Sequence, residues 1–203
     1  LMKFITDIMF WVSNGLLIPV IVGLIALFIL SLLLLGGYLG VRQRQRVHAK
    51  KYAPIFDTIK YSGLKPLRET LEAADRATPF EKIALDLLQV APAERNYLIS
   101  SYELELEKRL SRPKILTKFG PILGLMGTLI PMGPALVALG TGDVASMAYN
   151  MQVAFATTVL GMFASGVGYF LLQALRAYNQ RNLIWLDYIN DSLNDQHDET
   201  PKA

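Results

Sequence analysis

The chain has 203 residues, 52% of them hydrophobic and 18% charged, with a net charge of +3. So much apolar content with so few charges is rare in a soluble domain of this size, which points to a membrane protein and away from a soluble enzyme. Cysteine is absent, so disulfides, thiolate metal sites and thiol nucleophiles are excluded together.

The apolar residues are segregated. Runs without Asp, Glu, Lys, Arg or His extend from Ile8 to Val41, from Phe119 to Gly142 and from Val144 to Leu175. Each is long enough for the roughly 20 residues that cross a hydrocarbon core of about 30 Å. The expected fold class is an all-α integral membrane protein, with three transmembrane helices extended into a cytoplasmic helical region. In chain order we expect an outer interfacial segment (1–15), transmembrane helix 1 (16–41), a cytoplasmic helical insert (42–115) and transmembrane helix 2 (116–139). An outer turn (140–146), transmembrane helix 3 (147–175), a cytoplasmic helical extension (176–195) and a disordered tail (196–203) follow.

The first segment mixes Phe4, Ile5, Met9, Phe10 and Trp11 with a few polar residues, a composition suited to the membrane interface. A secretory signal peptide is disfavoured there, because the apolar run is too long and basic residues follow it. Those residues are Arg42, Arg44, Arg46, Lys50 and Lys51. A second cluster, Lys108, Arg109, Arg112, Lys114 and Lys118, precedes the next span, and Arg176 and Arg181 follow the third. By the positive-inside rule all three clusters face the cytoplasm, which sets the N-terminus outside and the C-terminus inside, in the cytoplasmic (inner) membrane. Basic residues that gather at helix ends explain the charge better than nucleic-acid binding does.

The insert reads as short helices. The first span continues to Pro54, Gly63 marks a turn, and Pro66 opens a helix bearing Leu67, Leu71 and Ala74. Thr78-Pro79-Phe80-Glu81 has the pattern of a capping box, with Ile83, Leu87 and Leu88 on the buried side of its helix. From Ala93 an amphipathic helix carries Leu98, Tyr102, Leu106 and Leu110 toward Pro113. No phosphate-binding glycine loop is present, and the carboxylates read as solvated. The two histidines, His48 in the basic run and His197 in the tail, also read as solvated, with no partner at metal-ligand or triad spacing. We therefore expect no enzyme activity and no bound cofactor. Leu183, Leu186, Tyr188 and Ile189 keep helical spacing beyond the third span.

The second and third spans carry stripes of small residues. Gly120, Gly124, Thr128, Pro131 and Ala135 recur at spacings of three or four, and so do Asn150, Ala154, Thr158, Gly161, Ser165 and Gly168. Gly127 and Thr157 sit beside these stripes. Close helix packing accounts for any one of these residues; hydroxyls on both stripes point also to an ion path. Pro131 and Pro134 each leave a carbonyl about one turn earlier without its usual donor, near Thr128. Thr128, Thr157 and Thr158 are the expected ion-pathway residues. The spans contain no Asp, Glu, Lys, Arg or His, so another protein would have to lend the titrating group.

Gly120-Pro121-Ile122-Leu123-Gly124-Leu125-Met126-Gly127-Thr128-Leu129 resembles the Pro-x-x-Gly-x-x-Gly-Thr-Val segment of the MotA/TolQ/ExbB proton-channel family. Ala154-Phe155-Ala156-Thr157-Thr158-Val159-Leu160-Gly161 is similar to that family's Ala-Thr-Ala-Ile-Gly segment, with Thr158 at its threonine. Three spans with an insert after the first resemble the TolQ and ExbB branch. The chain diverges in two places: Val153 stands where the family glutamate is expected, and Pro131-Met132-Gly133-Pro134 replaces the usual stretch. The resemblance implies a homopentamer around two copies of an ExbD/TolR/MotB-like single-span partner, whose aspartate binds the ion. The implied function is a motor subunit that couples H+ or Na+ flow to mechanical work by rotation. Sodium needs several oxygens together, and Thr157 with Thr158 and Thr128 would supply them, which tilts the sequence toward sodium. A scaffold membrane protein without conduction is the competing class; a solute transporter is disfavoured because no internal repeat pair is present.

Overall fold

The computed structural model describes residues 2–74 and 78–198. It is 94% helical, with no strand among the described residues. Five helices follow in order: α1 (Met2–Ser62), α2 (Lys65–Ala73), α3 (Pro79–Leu87), α4 (Pro92–Gly140) and α5 (Val144–Asp198). Of these, α1, α4 and α5 are long and apolar enough to cross a membrane. The expected tail at 196–203 lies outside the described residues from 199 onward, and α5 is helical up to Asp198.

Local sequence explains the breaks. Gly63 has a φ of +68° and ends α1, a conformation that costs a glycine least. Gly142, at φ +77°, turns the chain between α4 and α5, and the Asp143 carboxylate accepts the Ser146 N–H at 3.0 Å to cap α5. Thr78 forms the expected capping box. Its hydroxyl accepts the Glu81 N–H at 3.2 Å, and Glu81 Oε2 accepts the Thr78 N–H at 2.9 Å. Pro54 does not stop α1, contrary to the expectation from sequence: helix continues to Ser62, holding Phe56 on the aromatic core beyond it.

The chain divides into two compact units. The first takes residues 1–38 and 111–173, from parts of α1, α4 and α5. Val20, Leu24, Ala135, Ala154, Ala164 and Leu171 are buried within it, while much of its apolar surface, including Leu33, Leu129, Phe155 and Val159, is exposed. That distribution suits helices whose outer faces meet lipid or other helices instead of water.

The second unit takes residues 39–110 and 174–203. Leu67 and Leu71 of α2, Phe80, Ala84, Leu85 and Leu87 of α3, and Ile99, Tyr102 and Leu106 of α4 close on Tyr52 of α1 and on Trp185, Leu186 and Ile189 of α5. Ile83 and Leu88 pack only partly against this core, and Tyr188 is exposed. Phe56 and Trp185 stack face to face at 4.9 Å.

Two polar residues correct the sequence reading. His48 is 6% exposed, packed among the rings of Tyr52, Phe80, Tyr178 and Trp185 at 4.6 to 6.1 Å. Its place one turn before Tyr52 sets it on the inward face of α1 despite its basic neighbours. Glu81 is likewise buried, and the Tyr52 hydroxyl donates to its Oε1 at 2.7 Å. Burial, then this hydrogen bond, pushes the Tyr52 phenol well above its ordinary range.

Candidate ion pathway

The site lies within the first unit and is built on the contact between α4 and α5. A Cβ placed on Gly161 would come within 2.5 Å of the Gly120 carbonyl oxygen and 2.8 Å of the Gly124 Cα. A Cβ on Gly168 would meet Leu116 Cβ at 2.5 Å and the Thr117 nitrogen at 2.9 Å. The glycines let the two backbones touch, which is how membrane helices gain packing energy without a hydrophobic driving force.

Pro121 shows how the contact satisfies its polar atoms. A proline has no N–H, so the Thr117 carbonyl, four residues earlier, loses its helical donor. Ser165 of α5 supplies one, its hydroxyl donating to Thr117 O at 3.3 Å. Ser165 thus joins the two helices. Farther along, Asn150 donates to the Ser146 carbonyl of its own helix at 2.8 Å. Ala154 is buried in the packing, as is Pro131, while Pro134 is half-buried. A Cβ on Gly133, between these prolines, would meet the tip of Phe10 from α1 at 3.1 Å.

Thr128 and Thr158 meet at a cleft of about 270 Å³, lined also by Pro121, Gly124, Leu125 and Met162. Their hydroxyl protons turn back onto their own helices: Thr128 donates to Leu125 O at 2.7 Å and Thr158 to Ala154 O at 3.1 Å. The lone pairs of both hydroxyl oxygens remain available as acceptors. No charged or titratable side chain lines the cleft. An ion there would find oxygen ligands without a fixed countercharge.

Thr157 goes elsewhere. It is 4% exposed, donates to Ala154 O at 2.9 Å and to Val153 O at 3.1 Å, and lies against Gly127, where a Cβ would come within 2.6 Å of the Thr157 Cβ. Gly127 and Thr157 are therefore helix-packing residues here, and the expected trio of threonines is not gathered within one subunit. Adjacent helical residues point about 100° apart, so Thr157 and Thr158 cannot share one face. Leu125, Met162 and Pro121 complete the cleft and were not singled out from sequence. The signal was available, since Met162 lies one turn after Thr158 and Leu125 just under one turn before Thr128.

A sequence model of the MotA/TolQ/ExbB proton channel family matches residues 91–186. That match supports membership of the chain in the MotA/TolQ/ExbB proton channel family. The matched segment contains every residue of the threonine cleft and the whole of α4. Such membership points to an ion-channel role in an energy-transducing complex for this multi-pass membrane protein, as part of an oligomeric channel that works with a single-span partner. No curated protein and no solved structure matches the chain.

Proposed function

We propose that this MotA/TolQ/ExbB-family chain is the channel subunit of an ion-motive-force-driven motor of the three-span, TolQ/ExbB-like kind. Five copies would enclose the transmembrane helices of a partner dimer, with the N-terminus outside and the basic helix ends in the cytoplasm. The observation that carries this reading is the cleft where Thr128 and Thr158 meet, polar but without any titratable group. An ionisable side chain in the membrane costs several kcal/mol by insertion scales, so it is expected only where it works, on the moving partner.

The partner's aspartate would take up an ion, cross the apolar wall while neutral, and regain its attraction to the hydroxyl oxygens on release. Repeated cycles turn the pentamer around the partner. We propose protons as the ion. With Thr157 turned into the packing, Thr128 and Thr158 alone give too few oxygens to replace a sodium shell, whereas a proton needs only a titrating carboxylate and a wet path. On this reading the subunit catalyses no covalent chemistry and holds no cofactor.

The test is co-expression with single-span candidates that carry an intramembrane Asp, followed by imaging of the purified complex and proton flux in vesicles. Five copies with Thr128 and Thr158 facing two partner helices, and flux lost when the partner Asp becomes Asn, are the expected results. An assembly whose threonines face lipid, or flux indifferent to that Asp, would overturn the proposal in favour of a packing scaffold.

A further inference from the structure

The second unit contains a cleft of its own, about 470 Å³, which takes no part in the threonine pathway. Val41, Leu106, Leu110 and Leu175 give it apolar lining, and Gln45, His48, Thr78, Arg109 and Asn179 supply polar groups. Val41 and Leu175 are the last residues of charge-free runs, so part of the apolar lining comes from where the chain leaves its hydrocarbon-spanning segments. No carboxylate lines the cleft.

His48 marks it as a site and not merely a gap. The ring is 6% exposed, lines the cleft, and has no hydrogen-bond partner on either nitrogen. A neutral imidazole therefore keeps one donor and one acceptor unspent, a cost that native interiors rarely leave unanswered. Tyr52, Tyr178 and Trp185 pack against the ring without bonding to either nitrogen. Glu81, the nearby carboxylate of α3, is already committed to the Tyr52 hydroxyl and the Thr78 N–H. The other charges acting on the ring are cations, Lys51 of α1 and Arg181 of α5. Arg109 of α4 spends one N–H on Glu105 at 2.6 Å, out of the five its guanidinium carries.

We propose that this cleft binds an amphiphilic anion, its phosphate or carboxylate headgroup held by Arg109, Gln45 and His48 and its apolar body laid against Leu106, Leu110, Val41 and Leu175. A guanidinium recognises such a headgroup through charge-assisted bonds, and His48 regains a partner. An anionic lipid and a soluble anion share this headgroup chemistry. The inference stands apart from ion conduction, since no residue of the threonine cleft enters it.

The chain has only two histidines, His48 and His197, so histidine-selective ¹⁵N labelling of the full-length protein gives a two-residue spectrum in which His197 serves as the internal reference. The protein is titrated with acid in nanodiscs of phosphatidylcholine, in nanodiscs containing phosphatidylglycerol, and in phosphatidylcholine nanodiscs with inorganic phosphate added. A bound anion stabilises the imidazolium, so phosphatidylglycerol should raise the His48 midpoint with little change at His197. Arg109→Gln should weaken the dependence on lipid concentration at least about tenfold, as expected for the loss of one charge-assisted contact. Arg109→Lys should retain part of it, and an unchanged His48 signal in phosphatidylcholine shows that each variant is folded.

An Arg109-dependent shift with inorganic phosphate alone would keep the anion site and assign its source to solution. Movement of His48 that survives Arg109→Gln would be the diffuse potential of an anionic surface, and would overturn the proposal. No movement with either probe would overturn it as well.

Discussion

Substituting Gly161 by alanine tests whether the α4–α5 backbone contact holds the first unit together. The added methyl would sit 2.5 Å from the Gly120 carbonyl oxygen, about 0.9 Å inside the distance at which ordinary contact begins, and 2.8 Å from the Gly124 Cα. Both obstacles are backbone, so no side chain can swing aside and the helices must separate. Overpacking of this kind costs about 1–3 kcal/mol. Removing a glycine from a helix returns about 0.5–1 kcal/mol, leaving a net loss of up to about 2.5 kcal/mol and centred near about 1.3 kcal/mol, roughly a tenfold change in the unfolding equilibrium. Gly166 is the internal control, because a Cβ there meets nothing within 4 Å. Gly166→Ala should be neutral or slightly stabilising. The assay is equilibrium unfolding of both variants in one detergent, followed by circular dichroism. Equal stability of the two would refute the claim that this contact requires glycine.

Four further outcomes are expected. Tyr52→Phe removes the buried hydrogen bond to Glu81 and should cost about 1.5–3 kcal/mol, read as lost hydrogen-exchange protection of α3 and the Trp185 region. Burial, opposed by Glu81 and reinforced by Arg181 and Lys51, holds the His48 imidazole below its ordinary value. The unfolded chain therefore binds that proton first as pH falls, so the stability His48 contributes is complete above about pH 6.5 and declines as pH drops toward the folded value. Exchange protection of the second unit, corrected for intrinsic rates, should fall between pH 7.5 and 5.5, and His48→Phe should flatten that dependence. Thr128→Val and Thr158→Val should each reduce ion flux with little loss of stability, since every hydroxyl proton is spent within its own helix. Thr157→Ala should lower stability through the void left beside Gly127 and leave ion preference unchanged, as a flux comparison in sodium and potassium would show.

What sequence revealed depended on how local the cause was. The capping box at Thr78 follows from residues three apart, and Leu67, Leu71, Leu106 and Leu110 from helical period alone. Thr128 and Thr158 were legible as stripe members, but grouping Thr157 with Thr158 overlooked the rotation between neighbouring helical positions. His48 was hidden by composition: the basic residues around it suggested a solvated run, although His48, Tyr52 and Phe56 fall four apart on one face. The Tyr52–Glu81 bond joins residues 29 apart, and no local pattern could have foretold it. Pro54 failed as a boundary because a lost donor near the end of a helix is a smaller term than the core that Phe56 helps to fill.

The placement of the two tryptophans gives the protein a built-in pair of optical reporters. Trp11 is 80% exposed in the first unit, whereas Trp185 is buried in the second against Phe56, with the cation of Arg181 over its ring at 5.4 Å. Their emission should therefore separate, with Trp11 responding to the lipid or detergent around it and Trp185 to the integrity of the aromatic core. Replacing Trp11 by Phe leaves a single fluorophore whose spectrum follows one unit alone. The melting of that unit can then be timed without any label attached to the chain.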